Sequence, residues 1–180
     1  MARAVAPYAA DGTVQIAGVL ELNAGELLNR GGTLSTGSSL TIQSQSVDNT
    51  GGTLQTNANN FSITAEELRN NDDGKLLHAG NNTLQITATN LANNSGQIAS
   101  NNALVVDAAD INNQSGNLGA QTITLTSDQL DNSSGVIDAD QLTINVTGDV
   151  LNNNNGQLIA LGTDNNALLL TIGGLLDNGG

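Results

Sequence analysis

The 180-residue sequence contains no cysteine and no tryptophan, and only one phenylalanine, one tyrosine, one proline and one histidine. Without cysteine there is no disulfide, no thiolate metal site and no cysteine nucleophile. Without aromatics a conventional globular core lacks its usual large fillers, so Leu, Ile, Val and Ala must supply the interior. Basic residues are equally scarce: Arg3, Arg30, Arg69 and Lys75 stand against 17 acidic residues, for a formal net charge of −13. Nucleic acid is gripped by Lys and Arg set against phosphates, so it is a poor partner for this chain. An anionic membrane surface would repel it for the same reason. No window approaches the roughly eighteen consecutive apolar residues that a spanning helix needs, so no membrane insertion is expected. The opening MARAVAPYAA has no apolar stretch of useful length and is not a secretory signal as it stands.

What abounds is asparagine, with 27 residues, and glycine, with 21. So polar a composition invites a reading as disorder. Disordered chains, however, lack regularly placed aliphatic residues and carry more proline and charge than the 12% charged residues found here. In this chain the aliphatics recur in register.

The register is a repeat: an aliphatic residue, any residue, Asn, then Gly three or four positions on, then any residue and Leu or Ile. The Asn positions are Asn29, Asn49, Asn70, Asn93, Asn113, Asn132 and Asn152, followed by Gly32, Gly52, Gly74, Gly96, Gly116, Gly135 and Gly156. Leu176, Asn178 and Gly179 begin an eighth copy, so truncation at the C-terminal end is expected. Successive Asn residues lie 20, 21, 23, 20, 19, 20 and 26 residues apart. Each copy carries a second signal, apolar residues separated by one position, as in Leu40 and Ile42, Leu84 and Ile86, or Leu142 and Ile144. That alternation marks short strands with one face buried. Val14 with Ile16 and Leu20 with Leu22 extend it into residues 1–25, which otherwise read as an irregular or incomplete first coil.

Strands of four or five residues cannot bury a face alone, but stacked coils can, because each strand then pairs with its equivalents above and below. The prediction is an all-β parallel solenoid of about seven to eight coils, roughly 20 residues each, continuous over residues 26–180. At about 4.8 Å per coil, seven coils make a rod roughly 35 Å tall. The lumen is expected to be narrow and uniform. The seven Asn residues should stack at a corner and hydrogen-bond along the rod, each amide donating to one neighbour and accepting from the other. Asn, and the Gly after it, are expected to take the left-handed conformation that a tight corner demands. Insertions in Asn70–Gly74, in Asn152–Gly156 and in Leu161–Asn166 are expected to form surface loops and to carry any binding.

At these residues the sequence resembles the haemagglutinin repeats of filamentous-haemagglutinin-type exoproteins, as in GGTLSTGSSLTIQSQSVDN (31–49) and GQIASNNALVVDAADINN (96–113). The resemblance implies a right-handed β-helical fibre of a Gram-negative bacterium, secreted or held at the cell surface. It implies export by an outer-membrane two-partner secretion transporter, acting through regions absent here. It further implies service as an adhesin or as the stalk of a contact-dependent growth-inhibition protein, with a target-cell surface receptor as an expected partner. The resemblance transfers no functional residues to individual positions.

Catalytic and metal chemistry find little to stand on. His78 has no nucleophile motif around it and reads as a solvated loop residue. The carboxylate pairs Asp138 with Asp140, Asp107 with Asp110, and Glu66 with Glu67 suggest glycoside chemistry only in isolation, since the cations that would hold a polyanion are missing. No calcium-binding nonapeptide pattern occurs. Thr41, Thr124 and Thr143 share an outward slot of the kind ice-binding solenoids use, but Ser62, Gln85, Val105 and Leu169 occupy it in other copies. Glycosylation sequons fall at Asn60, Asn81, Asn93, Asn113, Asn132 and Asn145. The expectation is therefore a non-enzymatic shaft with no catalytic residue, no metal and no cofactor. A polysaccharide-processing β-helix enzyme and an ice-binding solenoid are the alternatives. Truncated ends expose unpaired strands, so end-to-end self-association is expected.

Overall fold

The computed structural model of the chain describes residues 12–180. Most of the opening MARAVAPYAADG, and with it the first half of the expected irregular coil, lies outside the described residues. Over the described residues the chain forms seventeen strands, all paired in parallel in one continuous winding, with no helix. The architecture is a β-solenoid of about seven turns of roughly 20 residues.

Each turn has three short faces. Face A comprises Thr13–Ile16, Thr33–Thr36, Thr53–Thr56, Lys75–His78 and Gln97–Ser100, and continues through the start of Asn117–Ser127 and Val136–Val146 to Gln157–Ala160. Faces B and C are the two arms of longer bent strands such as Leu40–Asp48 and Phe61–Arg69. The bend is visible in the pairing, where Ser44 meets Ala65 and Ser46 meets Glu67 while Gln45 and Glu66 are skipped. It is visible too in the buried positions: Leu40 and Ile42 point in, and the next buried apolar residue is Val47. One residue is used up turning the corner, so the two-residue alternation changes phase.

The pairing register stacks like upon like. Leu34, Leu54, Leu76, Ile98, Leu118 and Ile137 form one column on face A. Face B contributes two, through Leu40, Phe61, Leu84, Leu104, Ile123 and Leu142, and through Ile42, Ile63, Ile86, Val106, Leu125 and Ile144. Face C adds Val47, Leu68, Leu91, Ile111, Leu130 and Val150. All these side chains are buried, and together they are the core. Each is worth about 1.5–3 kcal/mol of transfer from water. The lumen is not uniform, however. Phe61 fills one level, with the His78 ring edge-on to it at 6.4 Å between centroids.

The N-terminal residues described join the same winding. Thr13–Ile16 pairs with Thr33–Thr36, and Leu20–Leu28 with Leu40–Asp48, in the register that the later turns keep.

Candidate functional site

The corner between faces C and A is lined by the repeated asparagines. Asn29 donates from Nδ2 to Asn49 Oδ1 at 2.7 Å, Asn49 to Asn70 at 2.6 Å, and Asn70 to Asn93 at 2.7 Å. The series runs on at 2.7 Å through Asn113, Asn132 and Asn152 to an eighth member, Asn178. Five of the eight are completely buried. Each Nδ2 through Asn132 also faces two backbone carbonyls; for Asn70 these are Gly74 and Gln97, both at 3.0 Å. A carbonyl only accepts, so the atom facing it must be the amide nitrogen. The backbone therefore fixes the direction of the whole ladder, with donors pointing toward the C-terminal end.

The glycines work differently from what the sequence predicts. None of the ladder Asn residues and none of Gly32, Gly52, Gly74, Gly96, Gly116, Gly135 and Gly156 has a positive φ. The left-handed position is the residue before the glycine: Gly31, Gly51, Asp73, Ser95, Ser115, Ser134 and Asn155 have φ between 55° and 68°. The ladder glycine is required for space instead. A Cβ on Gly96 would sit 1.8 Å from the Asn70 carbonyl oxygen, and one on Gly116 would sit 2.1 Å from that of Asn93. The carbonyl of the preceding turn passes where a side chain would begin.

The residue before each ladder asparagine often closes the turn with its own side chain. The Oδ1 atoms of Asp48, Asn112, Asp131 and Asp177 accept from the backbone N–H two residues on, at 2.9–3.2 Å. Burial works against ionisation of Asp48, yet hydrogen bonds from Thr50 and the Arg30 guanidinium, 2.7 Å away, hold its carboxyl below the ordinary value. Asp131 is lowered in the same balance, burial being outweighed by Ser133 and Gln114.

Two of the expected surface loops are not loops. The extra residues at Asp72–Asp73 and Asn154–Asn155 are absorbed as paired left-handed residues. Asp72 and Asp73 donate to the carbonyls of Asn94 and Ser95 in the next turn, both at 3.0 Å. Leu161 and Gly162 still donate to the carbonyls of Ala139 and Asp140, both at 2.8 Å, and the chain leaves the stack, exposed, over residues 163–166.

The corner between faces A and B is a second polar column that the repeat pattern does not announce. Thr36, Thr56, His78 and Ser100 point into the lumen and are buried. His78 is thus no solvated loop residue. Its Nε2 lies 2.9 Å from the Ala58 carbonyl, which requires the proton there, and its Nδ1 accepts from Ser100 Oγ at 3.1 Å. Gly80 leaves room for this contact, since a Cβ would lie 1.8 Å from the same carbonyl. Thr36 Oγ1 likewise bonds the carbonyls of Gly18 and Ser38, at 2.8 and 2.9 Å. The signal was present in the alternation: Thr36, Thr56, His78 and Ser100 each stand two residues after a buried Leu or Ile, and so face inward.

The outer faces carry no regular array. Thr41 stacks on Ser62, Gln85, Val105 and Thr124, and Asp107 stands between Thr87 and Thr126. Beside the second corner lies a shallow groove of about 610 Å³, lined by uncharged side chains that include Asn60, Asn81, Asn82 and Asn102. Of the six sequons, Asn93, Asn113 and Asn132 are buried ladder members with their amide nitrogens committed, whereas Asn60 and Asn81 are exposed. Among the described residues no group of three or more His, Asp and Glu is placed to hold a metal ion.

Neither a curated protein nor a solved structure matches the chain. The family model for the haemagglutinin repeat matches residues 15–90 and again residues 79–180, spanning every turn described above. With its ladder, its columns and its winding covered from end to end, the chain belongs to the haemagglutinin repeat family.

Proposed function

We propose that this chain is a structural segment, the rigid shaft of a secreted or surface-exposed bacterial adhesin or contact-dependent inhibition protein, wound as a right-handed β-helix. The observation that supports this most is the uninterrupted interior. Four aliphatic columns and one amide ladder run the length of the described residues without a cleft, a break or a convergence of titratable side chains. Stacked turns of this kind resist bending because every strand of the internal turns is paired on both sides. A stiff rod performs its task by reach, holding a recognition or toxic element away from the producing cell.

The chemistry is non-enzymatic in this reading. Export proceeds through an outer-membrane two-partner secretion transporter that recognises other regions of the polypeptide, and a receptor on the target cell engages the exposed loop over Leu161–Asn166 or one outer sheet. Antibodies raised against the segment are expected to label intact producing Gram-negative cells and their culture medium. Label found only after cell lysis overturns the proposal. Purified segment should neither shorten polysaccharides nor depress the freezing point of water hysteretically; a positive result would favour the enzyme or the ice-binding alternative.

A further inference from the structure

We propose, resting on the adhesin reading, that the groove at the corner between faces A and B is a binding site for an uncharged oligosaccharide, held by hydrogen bonds between sugar hydroxyls and side-chain amides. The groove lies on internal turns and encloses about 610 Å³, with Thr41, Ser62, Gln85 and Asn102 contributed by four successive turns. At about 4.8 Å per turn its length is roughly 14 Å, room for a short oligosaccharide laid along the rod. The first support is charge. The chain carries a net charge of −13, yet every residue lining the groove is uncharged. On face C, by contrast, one outward column runs through Glu67, Asn90 and Asp110. In the groove a cation finds no carboxylate and an anion no positive charge.

The second support is the mixture of donors and acceptors. Asn82 Nδ2 donates to Asn60 Oδ1 at 3.1 Å, and Asn101 Nδ2 to Asn81 Oδ1 at 3.3 Å. Asn102 Nδ2 donates to the Asn81 carbonyl at 2.7 Å. These bonds run between turns and hold the amides side by side. They leave Nδ2 of Asn60 and Asn81, and Oδ1 of Asn82 and Asn102, without a partner among the described residues. The Gln85 side chain adds a further donor and acceptor. A hydroxyl both donates and accepts, so a row of sugar hydroxyls satisfies both kinds of group. A carboxylate or phosphate only accepts, and would meet the amide oxygens unfavourably. Side chains already tethered between turns lose little freedom on binding. Phe61 at the floor is buried and offers no ring for a sugar to stack on, so a single site binds weakly, with a Kd of about 1 mM. Firm attachment then comes from many copies engaging one surface together.

The test is nuclear magnetic resonance of the isotopically labelled 180-residue chain. It is titrated with maltohexaose, cellohexaose and mannohexaose, and with oligogalacturonate as the charged counterpart. At about 10 mM, tenfold above a millimolar Kd, at least one uncharged sugar is expected to shift the side-chain amide signals of Asn60, Asn82 and Gln85. Affinity should be equal at low and high salt, because no charge takes part. Asn82→Ala and Gln85→Ala each weaken binding about tenfold. Gln97→Ala, exposed on face A outside the groove, leaves binding unchanged. Backbone signals that stay in place away from each substitution show that the variants keep the coil. No shift with any of the uncharged sugars overturns the proposal. So does equal binding of oligogalacturonate, or binding that survives both groove substitutions. Such a failure leaves the shaft standing, whereas surface label seen only after lysis removes the shaft and not the binding measured here.

Discussion

The two polar corners of the coil solve the same problem in different ways. At the corner between faces C and A, each turn has the same asparagine in the same place, and eight copies form a single hydrogen-bonded file. At the corner between faces A and B, the inward position is Thr36, Thr56, His78 and Ser100 and then Ala120, Ala139 and Ala160. From Thr36 to Ala139 the difference follows the length of the chain that turns there, while the end turns depart from it, Ile16 preceding residues 17–19 and Ala160 preceding residues 161–167. Where three or more residues intervene before face B, as in 37–39, 57–60 and 79–83, carbonyls turn inward and a hydroxyl or imidazole bonds them. Where only residues 121–122 or 140–141 intervene, the strands Asn117–Ser127 and Val136–Val146 run straight through the corner. Their backbone groups are then paired with neighbouring turns, and alanine suffices. A corner that absorbs its extra residue in left-handed backbone keeps its ladder; the other corner relies on local solutions. Buried polar groups are satisfied at both, with the single exception of Asn94 Oδ1 beside the ladder.

The largest effect is expected from one added methyl group at the ladder corner, with a second on the outer side of face A as its control. Gly116→Ala places Cβ against the Asn93 carbonyl and should destabilise by more than about 3 kcal/mol in denaturant unfolding, because backbone must move. Gly119→Ala, on the outer side of face A, meets only Asn117 Oδ1 at 3.5 Å and should change stability by less than about 0.5 kcal/mol. Equal losses at the two positions would contradict the steric account. Next in size, Asn113→Ala strands the Asn93 donor and the Asn132 acceptor in a dry interior, at a cost of about 2–4 kcal/mol. Ser100→Ala leaves a single imidazole nitrogen without its donor and should cost nearer 1 kcal/mol. Hydrogen exchange resolved to individual turns would show whether the first loss spreads along the ladder while the second stays local.

Smaller effects run the other way. Ser127 Oγ is buried without a partner at the remaining corner, where Ser127 pairs with Val146 of the next turn. Ser127→Ala should therefore raise the unfolding midpoint, by the equivalent of about 1 kcal/mol. Ser115→Gly relieves a residue held at φ 55° and should stabilise by up to about 1 kcal/mol; a loss instead would mean that the serine does more than turn the chain. The least of these effects is an acid limit. Asp48 and Asp131 have carboxyls held below the ordinary carboxylate value, so their stabilising contribution is present above that ordinary value and is lost as the pH falls through the lowered folded values. Unfolding midpoints measured from pH 7 downward should stay level until about pH 4 and then fall. Asp48→Asn together with Asp131→Asn should flatten that decline.

Much of the coil can be read without coordinates. Alternation of Leu and Ile with polar residues names the inward positions, and a fixed spacing between copies means that inward positions coincide when the chain is wound. That is why the columns through Leu54 and Ile63 and the file of asparagines are legible. Less legible is anything decided by an approach between turns. Nothing local to Gly96 distinguishes a glycine needed for its backbone freedom from one needed because the Asn70 carbonyl, 26 residues earlier, lies where its Cβ would be. Nor does Asp72–Asp73 show in isolation that its extra residue is swallowed by left-handed backbone rather than extruded. The inward turn of His78 follows from counting two residues on from Leu76, but its partners Ala58 and Ser100 belong to other turns.

Composition and periodicity alone thus settle that the chain must stack, which side chains fill the interior and that amides line one edge, because these depend only on the alternation along a strand and the constancy of the repeat. The winding itself decides which glycines are sterically compulsory, where the left-handed residues fall, which corners stay open or run straight, and which way the ladder points. Each of those depends on atoms about 20 residues apart in sequence but one strand spacing apart in space, a distance the linear order does not contain.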